Sequence, residues 1–277
     1  MHPSIWLAAV AGLVQGVVEW LPVSSKTIIT LIFAAGGVSF TNAYVLGLLA
    51  NFGSFFAALW YFRREIGLAL RGLAHPFANS DDAVVLRYLF FATLATGVIG
   101  LPIYVAVRHV FGTTSATVAM LLIGLLLVVT SLISRRREQL AAKQPEASSV
   151  AAPGIVTTLI VGACQGLAAL PGISRSAVTV TPLLLRGHSA KDALRLSFLL
   201  DVVALLGAAA VPLALAHGKL AALGHGNLEP TVVMILVAAV VSFFTIDAIL
   251  RAAQRLRSSV LTLAIGILTI LAAIVVH

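Results

Sequence analysis

Two short polar segments carry the groups that can react in an otherwise apolar chain. The first runs from Gln15 to Thr27 and contains Glu19, a Leu-Pro pair and two adjacent serines. The second runs from Gln165 to Ser176 and contains another Leu-Pro pair, followed by Ser-Arg-Ser. Polar and ionisable groups are costly among hydrocarbon side chains and usually mark functional sites there. Because Gln-Gly and Leu-Pro recur in the same order, we interpret the chain as two related halves.

The second segment has the chemistry of a phosphate-binding site. Ser174, Arg175 and Ser176 stand at the start of a predicted helix, where unpaired backbone N–H groups and the helix dipole favour an anion. The serine hydroxyls can cap this helix, and the guanidinium of Arg175 can bind two phosphate oxygens at once. A structural alternative is that the serines only cap the helix while Arg175 extends to the membrane surface.

The first segment combines a carboxylate with hydroxyl groups. Glu19 is the only acidic residue among the first 64 and precedes Ser25 by six residues. Its carboxylate can orient or deprotonate a hydroxyl, bind a divalent cation that also binds phosphate, or simply pair with a nearby basic side chain. Ser24 and Ser25 are candidate nucleophiles, which need an adjacent base because serine alone is weak. Gln15 shares a helix face with Glu19, which suits a hydrogen bond to substrate or to that carboxylate. The alternative is packing within the repeat, since Gln165 recurs at the related position.

The other polar residues are predicted to be mainly structural. Within the apolar segments these are Asn51, Ser54, Asp201 and Asp247. Histidine, the usual proton carrier near neutral pH, is absent from both polar segments. We predict that the seven histidines lie at the surface: His2, His75, His109, His188, His217, His225 and His277.

The composition places the chain in a membrane. Hydrophobic residues make up 60% of the 277 residues, charged residues make up 10%, and the mean hydropathy is +1.06, so the polar surface is too small for a water-soluble protein of this size. Six apolar segments reach the roughly 20 residues that a membrane-spanning helix needs. They lie at about residues 43–62, 85–107, 116–134, 194–216, 231–250 and 258–277. The net charge of +8 comes from basic clusters between these segments, which orient the protein in the bilayer and do not indicate nucleic acid binding.

The positions of the basic clusters predict an inverted repeat. The clusters occur at residues 63–71, 135–143, 186–195 and 251–257, and we expect all four in the cytoplasm. Residues 153–170 and 177–186 connect two of these clusters, which predicts a re-entrant hairpin that enters and leaves on the cytoplasmic side. By the repeat, residues 4–21 and 28–38 form a second hairpin, which enters from the outside.

The expected fold is therefore an all-α integral membrane protein with six transmembrane helices and two re-entrant helix hairpins in an inverted-topology repeat. The first repeat covers residues 1–134, a cytoplasmic linker covers 135–152, and the second repeat covers 153–277. Both termini of this multi-pass cell-membrane protein are expected outside. We expect the hairpin tips to line one wet cavity, with Glu19 beside Arg175, because irregular backbone at that depth must face protein or water. Such a frame suits a transporter as well as a membrane enzyme.

The polar segments resemble the motifs of the undecaprenyl-diphosphate phosphatase family, also called the bacitracin-resistance phosphatases. The first family motif is Glu or Gln, three residues and Glu, then an aromatic residue, Leu, Pro, any residue and two serines; it matches Gln15 to Ser25. The second, Pro-Gly-x-Ser-Arg-Ser, matches Pro171 to Ser176. Further matches at residues 61–64, 97–100 and 197–200 extend the resemblance through most of the chain.

The resemblance implies a phosphatase that converts an undecaprenyl-type polyprenyl diphosphate to the monophosphate and inorganic phosphate, recycling the lipid carrier of cell-envelope glycan synthesis. It implies a site open to the outer face, assistance by a divalent cation (Mg²⁺ or Ca²⁺), no organic cofactor, and often a homodimer. Glu19 is implied to be catalytic and to bind the cation, Ser25 to be the nucleophile or a phosphate ligand, and Arg175 to clamp phosphate. The implied substrate-binding residues are Gln15, Ser24, Lys26, Thr27, Gly172, Ser174 and Ser176.

The chain departs from the family pattern at two places. After the paired serines the family has Thr-Gly-His, whereas this chain has Lys26, Thr27 and Ile28. The glycine that ends the second family motif is Ala177 here. The missing histidine argues against proton transfer by imidazole, and Lys26 can instead neutralise charge on the diphosphate. A transporter that moves a polyprenyl phosphate across the bilayer without hydrolysis is the alternative function on the same frame.

Overall fold

The structure, a computed structural model, describes residues 3–21, 23–143, 153–215, 228–253 and 259–275. These residues form eleven helices and no strand. In chain order the helices are α1 (Ile5–Val18), α2 (Ser25–Ala35), α3 (Phe40–Tyr61), α4 (Arg63–Gly72), α5 (Asp81–Thr113), α6 (Ala116–Ala141), α7 (Ile155–Leu167), α8 (Arg175–Leu185), α9 (Ala190–Leu215), α10 (Glu229–Arg251) and α11 (Ser259–Val275). Pro22 of the first polar segment, residues 144–152 of the predicted linker, and the ends of the predicted spans 194–216 and 258–277 lie outside the described residues, as do Arg255 and Arg257.

Three helices are long and apolar enough to cross a membrane. They are residues 81–107 of α5, residues 117–141 of α6, and α10. Helices α3 and α4 meet the same criterion only as a pair, and they join at a bend of 75°. Helices α1, α2, α7, α8 and α11 are apolar but only 10 to 17 residues long. The helical, apolar architecture is that of a multi-pass membrane protein.

Two helices extend into segments that the sequence predicts as cytoplasmic loops. Helix α4 occupies the basic stretch after Tyr61, with Glu65 in its first turn and Arg71 in its last, the charge order that the helix dipole favours. Helix α6 continues past residue 134, so that Arg137 is a buried helical residue. Hydropathy predicts only the part of a helix that crosses the membrane. Arginine and lysine also have high helix propensity, so a helix can continue through a basic segment.

The helices of the two polar segments follow one spacing. Helices α7, α8 and α9 begin at Ile155, Arg175 and Ala190, and α1, α2 and α3 begin at Ile5, Ser25 and Phe40, a constant offset of 150 residues. At this offset Ser25 corresponds to Arg175, since each is the first residue of the second helix of its hairpin. The two motifs are therefore carried by equivalent pairs of short helices.

Helices α2 and α8 also end in the same turn. Gly37 has a φ of 83° and Gly187 a φ of 88°, a left-handed conformation that glycine adopts without steric penalty. The N–H of the following residue bonds to the carbonyl five residues earlier, at 3.0 Å for Val38 and 3.1 Å for His188. This Schellman arrangement ends each helix and directs the chain into the next one.

The chain forms two compact units, and each draws on both halves of the sequence. Among the described residues, the first unit comprises those within 1–20, 25–63 and 201–249. In this unit α1, α2 and α3 contact one another. Helix α10 joins them closely, because a Cβ on Gly16 of α1 would lie only 2.6 Å from the Cβ of Val241.

The second unit comprises the described residues within 21–24, 64–200 and 250–277. Helix α6 packs along α11, α5 packs along α7, and α8 contacts both α6 and α7. A Cβ on Gly166 of α7 would lie 2.7 Å from the Cβ of Ile99 of α5. The glycine of each Gln-Gly pair therefore serves a close helix contact within its own unit.

Candidate active site

Glu19 and Ser25 stand on the two sides of the break between α1 and α2. Glu19 is the C-cap of α1, with its N–H bonded to the carbonyl of Gln15 at 3.0 Å, and Ser25 is the first residue of α2. The helix stops here because proline follows at position 22, and the residue before a proline disfavours the helical conformation. The break leaves a carboxylate at the end of one helix and a hydroxyl at the start of the next.

Hydrogen bonds join three residues at this break. Ser25 Oγ donates to Glu19 Oε2 at 2.5 Å, and Gln15 Nε2 donates to the same oxygen at 2.8 Å. The hydrogen bond between Gln15 and Glu19, one of the two partners that the spacing suggests, is therefore confirmed. Gln15 and Ser25 are buried, whereas Glu19 is half-buried. A carboxylate that accepts from a serine hydroxyl can take its proton when that hydroxyl attacks an electrophile.

The remaining polar residues of the first segment differ in exposure. Ser24 and Thr27 are buried, and Lys26 is half-buried. The carbonyl of Lys26 accepts from Thr30 Oγ1 at 2.7 Å, a bond along α2. Ser24 belongs to the second unit, and Lys26 and Thr27 belong to the first.

Gly172 starts the turn that precedes α8. Its φ is +94°, and a Cβ would lie 2.8 Å from the carbonyl oxygen of Ile123, so that only glycine fits. Thr130 Oγ1 donates to the carbonyl of Gly172 at 2.7 Å and accepts from the N–H of Ser174 at 3.2 Å. Thr130 of α6 therefore fixes the backbone that leads into Arg175. Nothing in the sequence distinguishes this threonine from others in apolar spans.

The serines on either side of Arg175 have different contacts. Ser176 Oγ donates to the carbonyl of Leu21 at 3.1 Å, which ties α8 to the 21–24 segment of the same unit. Ser174 is the N-cap of α8, but its side chain makes no capping hydrogen bond. The predicted capping by Ser174 is wrong, because its Oγ lies beside Ser176 Oγ, at 3.4 Å. Arg175 itself is half-buried.

The structure thus describes two clusters of predicted site residues. Gln15, Glu19 and Ser25 are linked within the first unit. The backbones of Gly172 and Ser174 are linked through Thr130 within the second unit. The expected approach of Glu19 to Arg175 stays a prediction.

One of the histidines predicted at the surface is buried. His75 and His109 are exposed, but only 2% of His188 is. The turn at Gly187 carries the next residue inward, as the hydrophobic contact of a Schellman turn requires. Burial lowers the pKa of His188, and the carboxylate of Asp192 partly opposes this shift. His2, His217, His225 and His277 lie outside the described residues.

The first cluster fits a cation that is bound jointly with a phosphate. Within the described residues, no group of three or more His, Cys, Asp or Glu side chains can hold a metal ion. Mg²⁺, however, usually keeps several waters and binds one or two carboxylates together with substrate phosphates. Glu19 supplies one carboxylate. Gln15 Oε1 is buried and has no hydrogen-bond partner among the described residues.

Comparisons with known proteins agree with the motifs. The family model described as "Bacitracin resistance protein BacA" matches residues 8–274. A Saccharolobus solfataricus protein named undecaprenyl-diphosphatase is 32% identical over 276 residues, covering 98% of this chain and 96% of that protein. Proteins of the same name from Haloarcula marismortui and Pyrobaculum aerophilum are 36% and 37% identical, and the alignments cover 92% and 95% of both chains, respectively.

Proposed function

The chain belongs to the family of the bacitracin resistance protein BacA, and we propose that it is the membrane phosphatase its relatives' names describe. It hydrolyses undecaprenyl diphosphate to undecaprenyl monophosphate and inorganic phosphate, which returns the lipid carrier to cell-envelope glycan synthesis. The observation that carries this proposal is the Ser25 hydroxyl bonded at 2.5 Å to the Glu19 carboxylate, in a chain whose relatives over nearly full length are undecaprenyl-diphosphatases.

Ser25 is the nucleophile in the proposed reaction. Its Oγ attacks the terminal phosphorus and passes its proton to Glu19, while the bond from phosphorus to the bridging oxygen breaks and the lipid monophosphate leaves. Glu19 gives this proton to the leaving lipid phosphate and is ionised again. Water then attacks the phosphoserine, Glu19 accepts a proton from that water and returns it to Ser25 Oγ as the phosphorus–serine bond breaks, and inorganic phosphate is released. The hydrogen bond from Ser25 to Glu19 supports this assignment, because it already aligns the proton with its acceptor.

Arg175 clamps the phosphate that is transferred. A guanidinium that binds two equatorial oxygens stabilises the charge that spreads over them in the transition state. Gly172, Ser174 and Ser176 bind phosphate alongside Arg175, and Ser24, Lys26 and Thr27 do so from the first segment. Gln15 is the remaining predicted substrate-binding residue of that segment. The rigid backbone before α8 supports this role, since Thr130 holds the turn on both sides. Lys26 supplies positive charge where other family members have a Thr-Gly-His sequence.

Both clusters act on the same diphosphate. The family motifs support this arrangement, because they combine Glu19 and Ser25 of the first polar segment with Arg175 of the second. A divalent cation, Mg²⁺ or Ca²⁺, held by Glu19 would neutralise charge on the diphosphate. The residues Ser25 and Arg175 would still carry out attack and clamping.

The proposed membrane layout follows the sequence. Six transmembrane helices and two re-entrant hairpins form an inverted repeat, with both termini and the site on the outer face, and the protein forms a homodimer. The constant offset of 150 residues between the two sets of helix starts supports the repeat. The transporter alternative is not favoured, because the relatives are named as diphosphatases.

The proposal is tested by phosphate release from undecaprenyl diphosphate by the purified protein with Mg²⁺ or Ca²⁺. We expect release by the wild type and its loss, by a factor of about 10³ or more, in Glu19→Gln and in Arg175→Ala. Arg195→Ala is the matched control, because Arg195 is an exposed arginine on α9 that forms an ion pair with Glu65 and takes no part in the site. Absence of phosphate release by the wild type with every divalent cation tried would refute the proposal.

A further inference from the structure

We infer that Asn51 is a positioning residue for this reaction, because it holds the amide of Gln15 in the orientation that donates to Glu19. Asn51 lies on α3 and was predicted from the sequence to be mainly structural. The inference deepens the proposed function and rests on Glu19 and Ser25 being the reacting pair. It assigns to Asn51 no contact with the substrate.

Asn51 belongs to a set of buried polar groups behind the first cluster. Only 2% of Asn51 is exposed, and Gln15, Ser54 and Ser242 are fully buried. Burial of a polar side chain costs free energy unless it is hydrogen-bonded, so four such residues in an apolar unit call for an explanation. Ser54 of α3 and Ser242 of α10 satisfy each other, with their hydroxyl oxygens 3.0 Å apart.

The amide of Gln15 has two N–H donors, and both have partners. One donates to Glu19 Oε2 at 2.8 Å, and the other donates to Asn51 Oδ1 at 3.1 Å. Ser54 Oγ lies farther away, at 3.5 Å. The N–H groups of Gln15 are therefore divided between Asn51 on α3 and the carboxylate at the end of α1.

The two acceptors together determine which way the amide faces. If the amide turned over, its oxygen would face Glu19 Oε2 and Asn51 Oδ1, and oxygen would oppose oxygen at both contacts. With Asn51 present, Gln15 Nε2 is bonded to both acceptors, and Gln15 Oε1 has no hydrogen-bond partner among the described residues. Loss of the Asn51 acceptor frees one N–H group, so the amide can shift and Glu19 loses a fixed donor.

A hydrogen bond that only joined helices would have a different effect. Tyr61, also on α3, donates to Asp247 Oδ1 of α10 at 3.2 Å, and that contact does not lead to Glu19. Interhelical hydrogen bonds of this kind contribute to stability. Asn51 differs because its partner contacts the proposed base directly. Its removal is therefore expected to lower kcat and leave KM unchanged.

The test is a double-mutant cycle on undecaprenyl diphosphate hydrolysis. Asn51→Leu keeps a similar volume but removes the acceptor, and we expect kcat to fall on the order of 10- to 100-fold, as when groups that orient metal ligands are removed. If Asn51 acts through Gln15, then the double variant with Gln15→Leu has the same kcat as Gln15→Leu alone. Tyr61→Phe, the matched control, is expected to keep the wild-type kcat.

Asn51→Ser is a second variant, whose hydroxyl is too short to replace the acceptor, and it is expected to lose kcat like Asn51→Leu. A wild-type kcat in either folded variant, or kcat losses that multiply in the double variant, would overturn the inference. Glu19→Gln in the same assay distinguishes an error in the proposed site from an error in the role of Asn51. If Glu19→Gln stays active, the proposed site is wrong; if it is inactive while Asn51→Leu is normal, only the role of Asn51 is wrong.

Discussion

The hairpins α1–α2 and α7–α8 have the same backbone plan but different chemistry at equivalent positions. Each second helix begins at a functional candidate, which is a hydroxyl at Ser25 and a guanidinium at Arg175. The residue equivalent to Glu19 in the second hairpin is Ala169. In the proposed reaction, one hairpin carries the base and the nucleophile, and the other carries the phosphate clamp and has no base. The two hairpins therefore share their helix positions, whereas the side chains at equivalent positions differ.

In the repeated Gln-Gly pair, the glycine has the same packing role in both hairpins, whereas the glutamine has different hydrogen-bond partners. Gly16 and Gly166 both allow close contact with a neighbouring helix. Gln15 donates to Glu19 and Asn51, whereas Gln165 donates to Thr96 Oγ1 at 3.1 Å. The glycine has one role in both copies. The role of the glutamine depends on whether a carboxylate follows four residues later.

The largest difference between the hairpins should come from their serines. Ser25→Ala removes the proposed nucleophile and is expected to lower kcat by a factor of about 10³. Ser176→Ala removes one neutral hydrogen bond to the carbonyl of Leu21, worth about 1 kcal/mol, and is expected to lower kcat/KM only several-fold. Steady-state kinetics with undecaprenyl diphosphate measure kcat and KM of both variants. Equal losses would show that the two hydroxyls have equivalent roles.

A smaller and symmetric effect is expected from the two glycines. Gly16→Ala and Gly166→Ala each force a methyl group against a neighbouring helix, at 2.6 and 2.7 Å from a Cβ atom, and should destabilise the protein by about 1–3 kcal/mol. Thermal unfolding in detergent measures both. Gly97→Ala is the control, because a Cβ there meets no atom within 4 Å. Destabilisation of only one hairpin would contradict the shared packing role.

The positions of most helices could be predicted from the sequence. The hairpin helices α1, α2, α7 and α8 lie close to their predicted positions, because the Leu-Pro breaks and apolar runs are local signals. Helix α4 was not predicted, since its ten residues include four charged ones and are too few to cross a membrane, so that hydropathy does not mark it. The membrane orientation of the hairpins was predicted from the basic clusters and stays a prediction, because helix geometry alone does not distinguish the two sides of a bilayer.

The site residues were predictable to the extent that their chemistry is local. Gln15 and Glu19 share a helix face, so their hydrogen bond follows from a spacing of four. Thr130 and Asn51 reach the two clusters from helices distant in sequence, and only tertiary packing selects them among similar residues. The burial of His188 follows from its place after a left-handed glycine, a signal that is visible once the turn is compared with Gly37-Val38.

The smallest predicted effect concerns these equivalent turns, where Val38 of the first hairpin corresponds to His188 of the second. Burial lowers the pKa of His188 from its usual 6.5, with Asp192 partly opposing the shift, so below about pH 6.5 the unfolded chain binds more protons than the folded one. Stability should therefore fall as the pH decreases from about 7.5 to about 5.5, by about 1 kcal/mol or less from this group. His188→Val places the residue of the first hairpin in the second and should reduce the fall in melting temperature. The reciprocal Val38→His should increase it, and an unchanged pH dependence in both variants would show that the two turns do not differ in protonation.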